Sequence, residues 1–328
     1  STLSPSSAAS DVYKRQFVQR DVYILKGEGE EVFEPQFTYH GARYCLVLGL
    51  TDEQATEELL TFDICASAIG DRGDFRCSDD TVNKLQVMTR NSDLSNFYYF
   101  PTDCPHREKN GWTGDASVSC EQLSLNFAPE KSYKEWLRNI RKTQKETGEL
   151  PGIIPTGGWG YEWGNGPAWD QVATVLPYMT YLLRGDREIL EENSPMIMRY
   201  AEYISRNRTA RGTVELGLGD WCPVTKFKSP LEFTDSVVCM DILDKAAYIF
   251  SVLGQPLQEK FCVKLRREIR SAVREHLVDL STCTAIGCCQ TSQAMAIYYN
   301  VFDPGEKAQA FKVLLLSLIH ISEPTRRS

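Results

Sequence analysis

The sequence has no dense Lys/Arg run, no C-x-x-C pair, few histidines and no apolar run of membrane length, and each absence removes a class of function. Lys and Arg number 36 against 44 Asp and Glu, a formal net charge of −8, and nothing matches the basic density that a phosphate backbone requires. Nucleic acid is therefore not an expected partner. The longest apolar stretch near the end runs from Val313 to Leu316 and on to Ile319 past Ser317, far short of the roughly 18 residues of a membrane span, so no membrane partner is expected either. Eleven cysteines, an odd count without paired spacing, argue against a disulfide framework and read as mostly buried thiols. Cys283, Cys288 and Cys289 form the closest group but have no histidine beside them, and with four histidines in the chain neither a metal nor a cofactor is expected. No repeat of fixed period appears, which argues against a TPR or armadillo array.

What is present is a globular composition, 328 residues with 42% apolar and 24% charged, enough for a sizeable core and about two domains. The ends stand apart. Residues 1–16 are serine-rich without an apolar period, and the last twelve residues, 317–328, follow neither helix nor strand logic. Both resemble translated adapter sequence, so the natural part is expected to be an internal fragment over about 17–316. From Asp21 to Ser67 the pattern is strand-like: Leu60, Phe62, Ile64 and Ala66 alternate with polar residues, and Arg43 to Leu50 is apolar on both faces. This predicts a partial β-sandwich over 17–72. From Ser78, read as an N-cap, the period becomes helical. Tyr133, Trp136, Leu137 and Ile140 share one helix face, and further helices are predicted over 115–126, 170–184 with a bend at Pro177, 187–206, 238–253, 256–278, 290–300 and 305–316. About nine helices thus fill a second domain over 73–316.

Three long loops between these helices carry the chemistry. Phe100 to Asp115 (FPTDCPHREKNGWTGD) sets Asp103, Glu108 and Asp115 around Trp112, with Pro101, Pro105, Gly111 and Gly114 opposing regular structure so that the side chains can converge. Ile153 to Asp170 adds Trp159, Tyr161, Glu162, Trp163, Trp169 and Asp170, and Gly217 to Pro223 adds Asp220 and Trp221. Four of the six tryptophans therefore lie in two glycine-rich loops, whereas a packing tryptophan belongs on a helix face, as Trp136 does. Carboxyls beside indole planes suit sugar chemistry, in which one acid protonates a glycosidic oxygen while aromatic faces bind the apolar faces of the ring.

The stretch TDCPHREKNGWTGDA, Thr102 to Ala116, closely resembles the signature of glycoside hydrolase family 78, the α-L-rhamnosidases. FEPQFTYHGARY (Phe33 to Tyr44), GDFRCSD (Gly73 to Asp79), PAWDQV (Pro167 to Val172), GDW (Gly219 to Trp221) and QTSQAMAI (Gln290 to Ile297) fit the same family in order. The resemblance implies an (α/α)6 barrel preceded by β-sandwich domains, and an inverting, metal-independent hydrolysis of terminal α-L-rhamnosides. It implies Glu108 as general acid, accepting a one-residue gap relative to some relatives, with Asp103, Arg107, Trp112 and Asp115 around the sugar. Trp169 and Trp221 become pocket aromatics and Asp170 their neighbour. The family's general base lies in a late Trp-Glu motif that is not found after Gln290, and about nine helices stand where the barrel needs twelve, so an incomplete barrel without its base is expected. L-rhamnose is a 6-deoxy sugar whose methyl group suits an aromatic wall. The competing readings are an (α/α)6 enzyme acting on another glycoside, a sugar-binding module without turnover, and a helical interaction scaffold.

Overall fold

The structure, a computed structural model, describes residues 2–5, 19–223 and 228–322. It divides into two compact units, 1–111 and 112–328. In the first unit, β1 (Thr2–Pro5) lies between β2 (Asp21–Val22) and β3 (Cys45–Leu48) in one antiparallel sheet, with Leu3 opposite both Asp21 and Val47. The stretch 1–16, expected to stand outside the fold, thus supplies the middle strand over residues 2–5, while residues 6–18 lie outside the described residues. β3 falls within the predicted Arg43–Leu50 strand but is half-buried on one face only, leaving Leu46 and Leu48 exposed. Leu60 to Ser67 forms no strand, and its Phe62 and Ile64 are 65% and 97% exposed. Alternation supplies a face, but a ladder needs a neighbouring strand, and none pairs with this segment among the described residues.

Helix α1 (Asp80–Ser95) is capped by Asp79, whose carboxylate accepts from Thr81 N at 2.7 Å and Val82 N at 3.3 Å, one residue later than the Ser78 cap the sequence suggests. It leads into a tight hairpin of β4 (Phe97–Tyr98) and β5 (Phe100–Pro101), turned by Tyr99 at φ 68°.

The second unit is built of α2 (Thr113–Asn126), α3 (Glu130–Thr143), α4 (Pro167–Asp170), α5 (Val172–Arg184), α6 (Arg187–Arg206), α7 (Leu231–Val252), α8 (Pro256–His276), α9 (Gln290–Tyr298) and α10 (Lys307–Ser322), with a small hairpin of β6 (Val278–Asp279) and β7 (Thr284–Ala285) after α8. Every predicted helix is present among the described residues; the extra one arises because 170–184 resolves into the single turn α4 and α5, joined by Gln171. Pro177 sits inside α5, and a second proline, Pro195, inside α6.

Amphipathic α3 buries Tyr133, Trp136, Leu137 and Ile140, the face its spacing predicts, and Trp136 Nε1 donates to Ile154 O at 2.9 Å. α7 differs. It is packed by α4, α5, α6, α8 and α9 and buries Phe233, Val237, Met240, Leu243 and Phe250, each worth about 1.5–3 kcal/mol. It starts at Leu231, seven residues before the predicted start, because Thr234, Asp235 and Ser236 interrupt the apolar period yet lie buried. All eleven cysteines are free thiols, five of them buried, fewer than the composition suggests. Among the described residues no helix is long and apolar enough to cross a membrane.

Candidate active site

The turn over residues 103–110, which carries Glu108, lies in the first unit. Asp103 closes it by main-chain and side-chain bonds: Asp103 N donates to Asn110 O at 3.1 Å, and Asn110 N donates to Asp103 Oδ1 at 3.0 Å. The Cys104 thiol donates to Asp103 Oδ2 at 2.9 Å and in turn accepts from Glu108 N at 3.2 Å, so the first and sixth residues of the turn are fixed through one sulfur. Residues 39–41 brace it from outside. Lys109 donates to Tyr39 O and stands 4.5 Å over the Tyr39 ring, and a Cβ on Gly41 would meet the Pro105 carbonyl carbon at 2.8 Å. The FEPQFTYHGARY segment therefore supports the turn.

Glu108 is partly exposed, at 27% of its side chain, and pairs with Arg107 at 3.2 Å. A group that must reach a glycosidic oxygen has to be accessible, and Glu108 meets that condition. Burial pushes the Asp103 carboxyl above its usual range, opposed by the Cys104 and Asn110 bonds and reinforced by the charge of Glu108, while burial lowers Lys109.

The aromatic part lies in the second unit. Trp112, 8% exposed, is held at the start of α2 by a bridge to Ile153, and Thr113 N donates to Gly152 O at 2.9 Å. Around it five of the six indoles form a continuous chain. Trp112 has ring centroids 6.3, 5.6 and 6.5 Å from Trp159, Trp163 and Trp169, Trp159 stacks on Trp163 at 5.3 Å, and Trp221 lies 6.4 Å from both Trp163 and Trp169. Close glycines permit this: a Cβ on Gly114 would stand 2.8 Å from the Trp169 ring, and one on Gly164 would stand 2.8 Å from Trp112. Trp159, Trp163 and Trp221 are 48%, 44% and 58% exposed, so the cluster has a closed floor and an open rim. Indole faces open to solvent suit the apolar face of a sugar or its methyl group. Asp115 is exposed in the first turn of α2, and half-buried Asp220 accepts from Ser229 N at 3.0 Å.

Asp170, expected beside the sugar, is instead wholly enclosed. Its Oδ2 accepts from Tyr200 OH at 2.9 Å and Gly166 N at 3.2 Å, and burial raises its carboxyl well above the usual range. A second enclosed acid, Asp235 of α7, accepts from Leu216 N at 2.7 Å, and its carboxyl is pushed up to about 8 by burial, with the charges of Asp170 and Glu215 adding. Sequence reading missed Asp235. The signal was there: Thr-Asp-Ser interrupting an otherwise apolar helix.

Residues 70–323 match the family model of the bacterial alpha-L-rhamnosidase 6 hairpin glycosidase domain, and residues 2–68 match the concanavalin-like domain of bacterial alpha-L-rhamnosidases. The chain belongs to the bacterial α-L-rhamnosidase family. An α-L-rhamnosidase of Formosa agariphila is 32% identical over 249 residues, covering 71% of this chain and 25% of that protein, and one of Streptomyces avermitilis is 28% identical over 275 residues, covering 82% and 26%. The crystal structure of the Streptomyces avermitilis α-L-rhamnosidase complexed with L-rhamnose superposes with a TM-score of 0.86 at 25% identity, over 98% of this chain and 31% of that one. The α-L-rhamnosidase from Dictyoglumus thermophilum gives 0.81 at 30% identity, over 92% and 35%. This α-L-rhamnosidase family chain thus spans a quarter to about a third of the length of these relatives. The mainly helical six-hairpin architecture with a small sheet region is the one its sequence resemblance implies.

Proposed function

We propose that a full-length protein carrying this chain hydrolyses terminal α-L-rhamnosides with inversion, Glu108 acting as general acid and the indole cluster of Trp112, Trp169 and Trp221 binding the sugar. The observation that carries the reading is the five-indole chain with a closed floor and an open rim, formed by loops of a glycosidase fold four residues beyond Glu108 in sequence. Glu108 protonates the leaving oxygen, Arg107 holds its carboxyl, and Asp103 fixes the turn that presents it. Asp115 supplies a carboxylate for sugar hydroxyls. Inversion leaves about 6.5–9.5 Å between the acid and a second carboxylate for the attacking water. No step calls on a metal or cofactor. Incubation with an aryl α-L-rhamnoside tests the proposal: L-rhamnose is released, and NMR shows the β-anomer first. Turnover of a different glycoside alone, or an α-anomer formed first, overturns it, and binding of L-rhamnose without release favours the sugar-binding module.

A further inference from the structure

Two indole-bearing loops of the second unit cross each other. Leu218 N donates to Asn165 O at 2.7 Å, and the crossing is so close that a Cβ on Gly217 would stand 2.0 Å from Asn165 O, with Gly217 itself at φ +67°. Each strand of the crossing is tied down by a carboxyl from a different helix. Asp170 of α4 takes Gly166 N, and Asp235 of α7 takes Leu216 N. Ser236, next on α7, takes Val214 N at 2.9 Å. The Asp170 loop carries Trp163 and leads to Trp169, and the Asp235 loop leads to Trp221, so the two tethered chains bring the facing indoles to 6.4 Å.

We infer that Asp235, together with Asp170, is a positioning residue of the aromatic site: the two enclosed carboxyls hold the crossing of the 165–166 and 216–218 segments, and through it set where Trp221 stands against Trp163 and Trp169. Both carboxyls are buried, and each leaves its Oδ1 without a hydrogen-bond partner, an arrangement that costs free energy. Packing alone would favour an apolar residue at either position. What each acid retains, and an apolar residue would lose, is an acceptor for one loop N–H.

The charge state follows from the surroundings. Among the described residues, the titratable groups that bear on Asp235 are Asp170, Glu215 and, one turn along α7, Cys239, while Tyr200, Tyr203, Cys239 and Glu149 bear on Asp170. No cation is among them, so Asp235 holds the crossing as a neutral acid, and ionising it above about pH 8 puts an uncompensated charge under the loops.

This inference rests on the sugar-site reading for its ligand but not for its geometry, and the test separates the two. In the full 328-residue chain, tryptophan emission and acrylamide quenching are recorded with and without L-rhamnose for wild type, Asp235→Asn, Asp235→Ala and Gly217→Ala. Asp235→Asn keeps the acceptor oxygen and is expected to leave quenching at neutral pH within about twofold of wild type, whereas Asp235→Ala and Gly217→Ala raise indole accessibility and weaken L-rhamnose binding by tenfold or more. Wild-type emission should also shift near pH 8, and the Asp235→Asn variant should not. Should Asp235→Ala match wild type in both quenching and affinity, or Asp235→Asn keep the pH shift, the positioning role is overturned. A wild type blind to L-rhamnose, with the quenching pattern as expected, overturns the sugar reading and leaves the positioning role standing. Far-UV CD confirms that each variant is folded.

Discussion

The acid-bearing turn at 103–110 and the indole cluster around Trp112 solve opposite problems. The turn keeps Glu108 partly exposed and is fixed by short-range bonds through Asp103 and Cys104, within eight residues of chain. The cluster is assembled from residues more than a hundred positions apart and depends on groups it never shows to solvent, Asp170 and Asp235 among them. Proton transfer needs one accessible group in a defined place, which local geometry can supply. Binding a sugar face needs area, and area must be supported from below.

The largest effect expected is on the turn's side of this comparison. In a full-length active protein, Glu108→Gln should lower kcat by several orders of magnitude on an alkyl rhamnoside while leaving substrate affinity nearly unchanged, because only proton donation is lost. Steady-state kinetics with an independent binding titration checks this. If Glu108→Gln kept near-normal rates while Asp115→Asn abolished them, the acid would be Asp115.

On the other side, Trp221→Ala should raise KM by about tenfold with little change in kcat, since it removes contact area present in both ground and transition states. Trp221 is 58% exposed, so the folded state should tolerate its loss. Trp112→Ala should weaken binding too, but Trp112 is 8% exposed and its truncation should also cost about 3–5 kcal/mol of stability. A fall in kcat without a change in KM for Trp221→Ala would place that indole in the chemistry instead of in binding.

Much of this was legible in sequence, for particular reasons. Tyr133, Trp136, Leu137 and Ile140 announce a buried helix face because the helical period maps directly onto burial. The indole loops are readable because tryptophans among glycines have no helix face to pack on. Asp235 was missed because a polar residue inside an apolar run reads as an interruption unless its partner, here Leu216 N nineteen residues earlier, is known. The Leu60–Ser67 strand was over-read because alternation records a preferred face and not whether a ladder exists to use it. Asp170 stands next to a pocket tryptophan in sequence and was read as its neighbour at the sugar, but on the single turn of α4 adjacent side chains diverge, one toward the indoles and one inward.

The enclosed acids also make a pH prediction. An unfolded Asp ionises near 3.9, whereas Asp235 holds its proton to about 8, so between these values the folded state binds a proton that the unfolded state has released. Stability is therefore fully present below about pH 4 on account of this group and is lost as pH rises toward 8. Asp235→Asn should flatten the decline in urea midpoint between pH 5 and pH 8, and an unchanged decline would count against the assignment. The smallest effect lies away from both regions. Arg274 grips Glu306 with a two-bond fork at 2.7 and 2.9 Å and holds its carboxyl down to about 2. That contribution is present above the usual Glu pKa near 4.3 and fades as pH falls toward 2, and because the pair is partly exposed Glu306→Gln should cost about 1 kcal/mol or less at neutral pH.

The division of labour between turn and cluster is tested most directly by a leaving-group series. Measuring kcat/KM for Glu108→Gln and Trp221→Ala on aryl α-L-rhamnosides of decreasing leaving-group acidity should show the Glu108→Gln penalty growing steeply as the leaving group worsens, with the Trp221→Ala penalty constant across the series. A Glu108→Gln penalty that stays constant across the series, or a Trp221→Ala penalty that tracks leaving-group acidity, would contradict it.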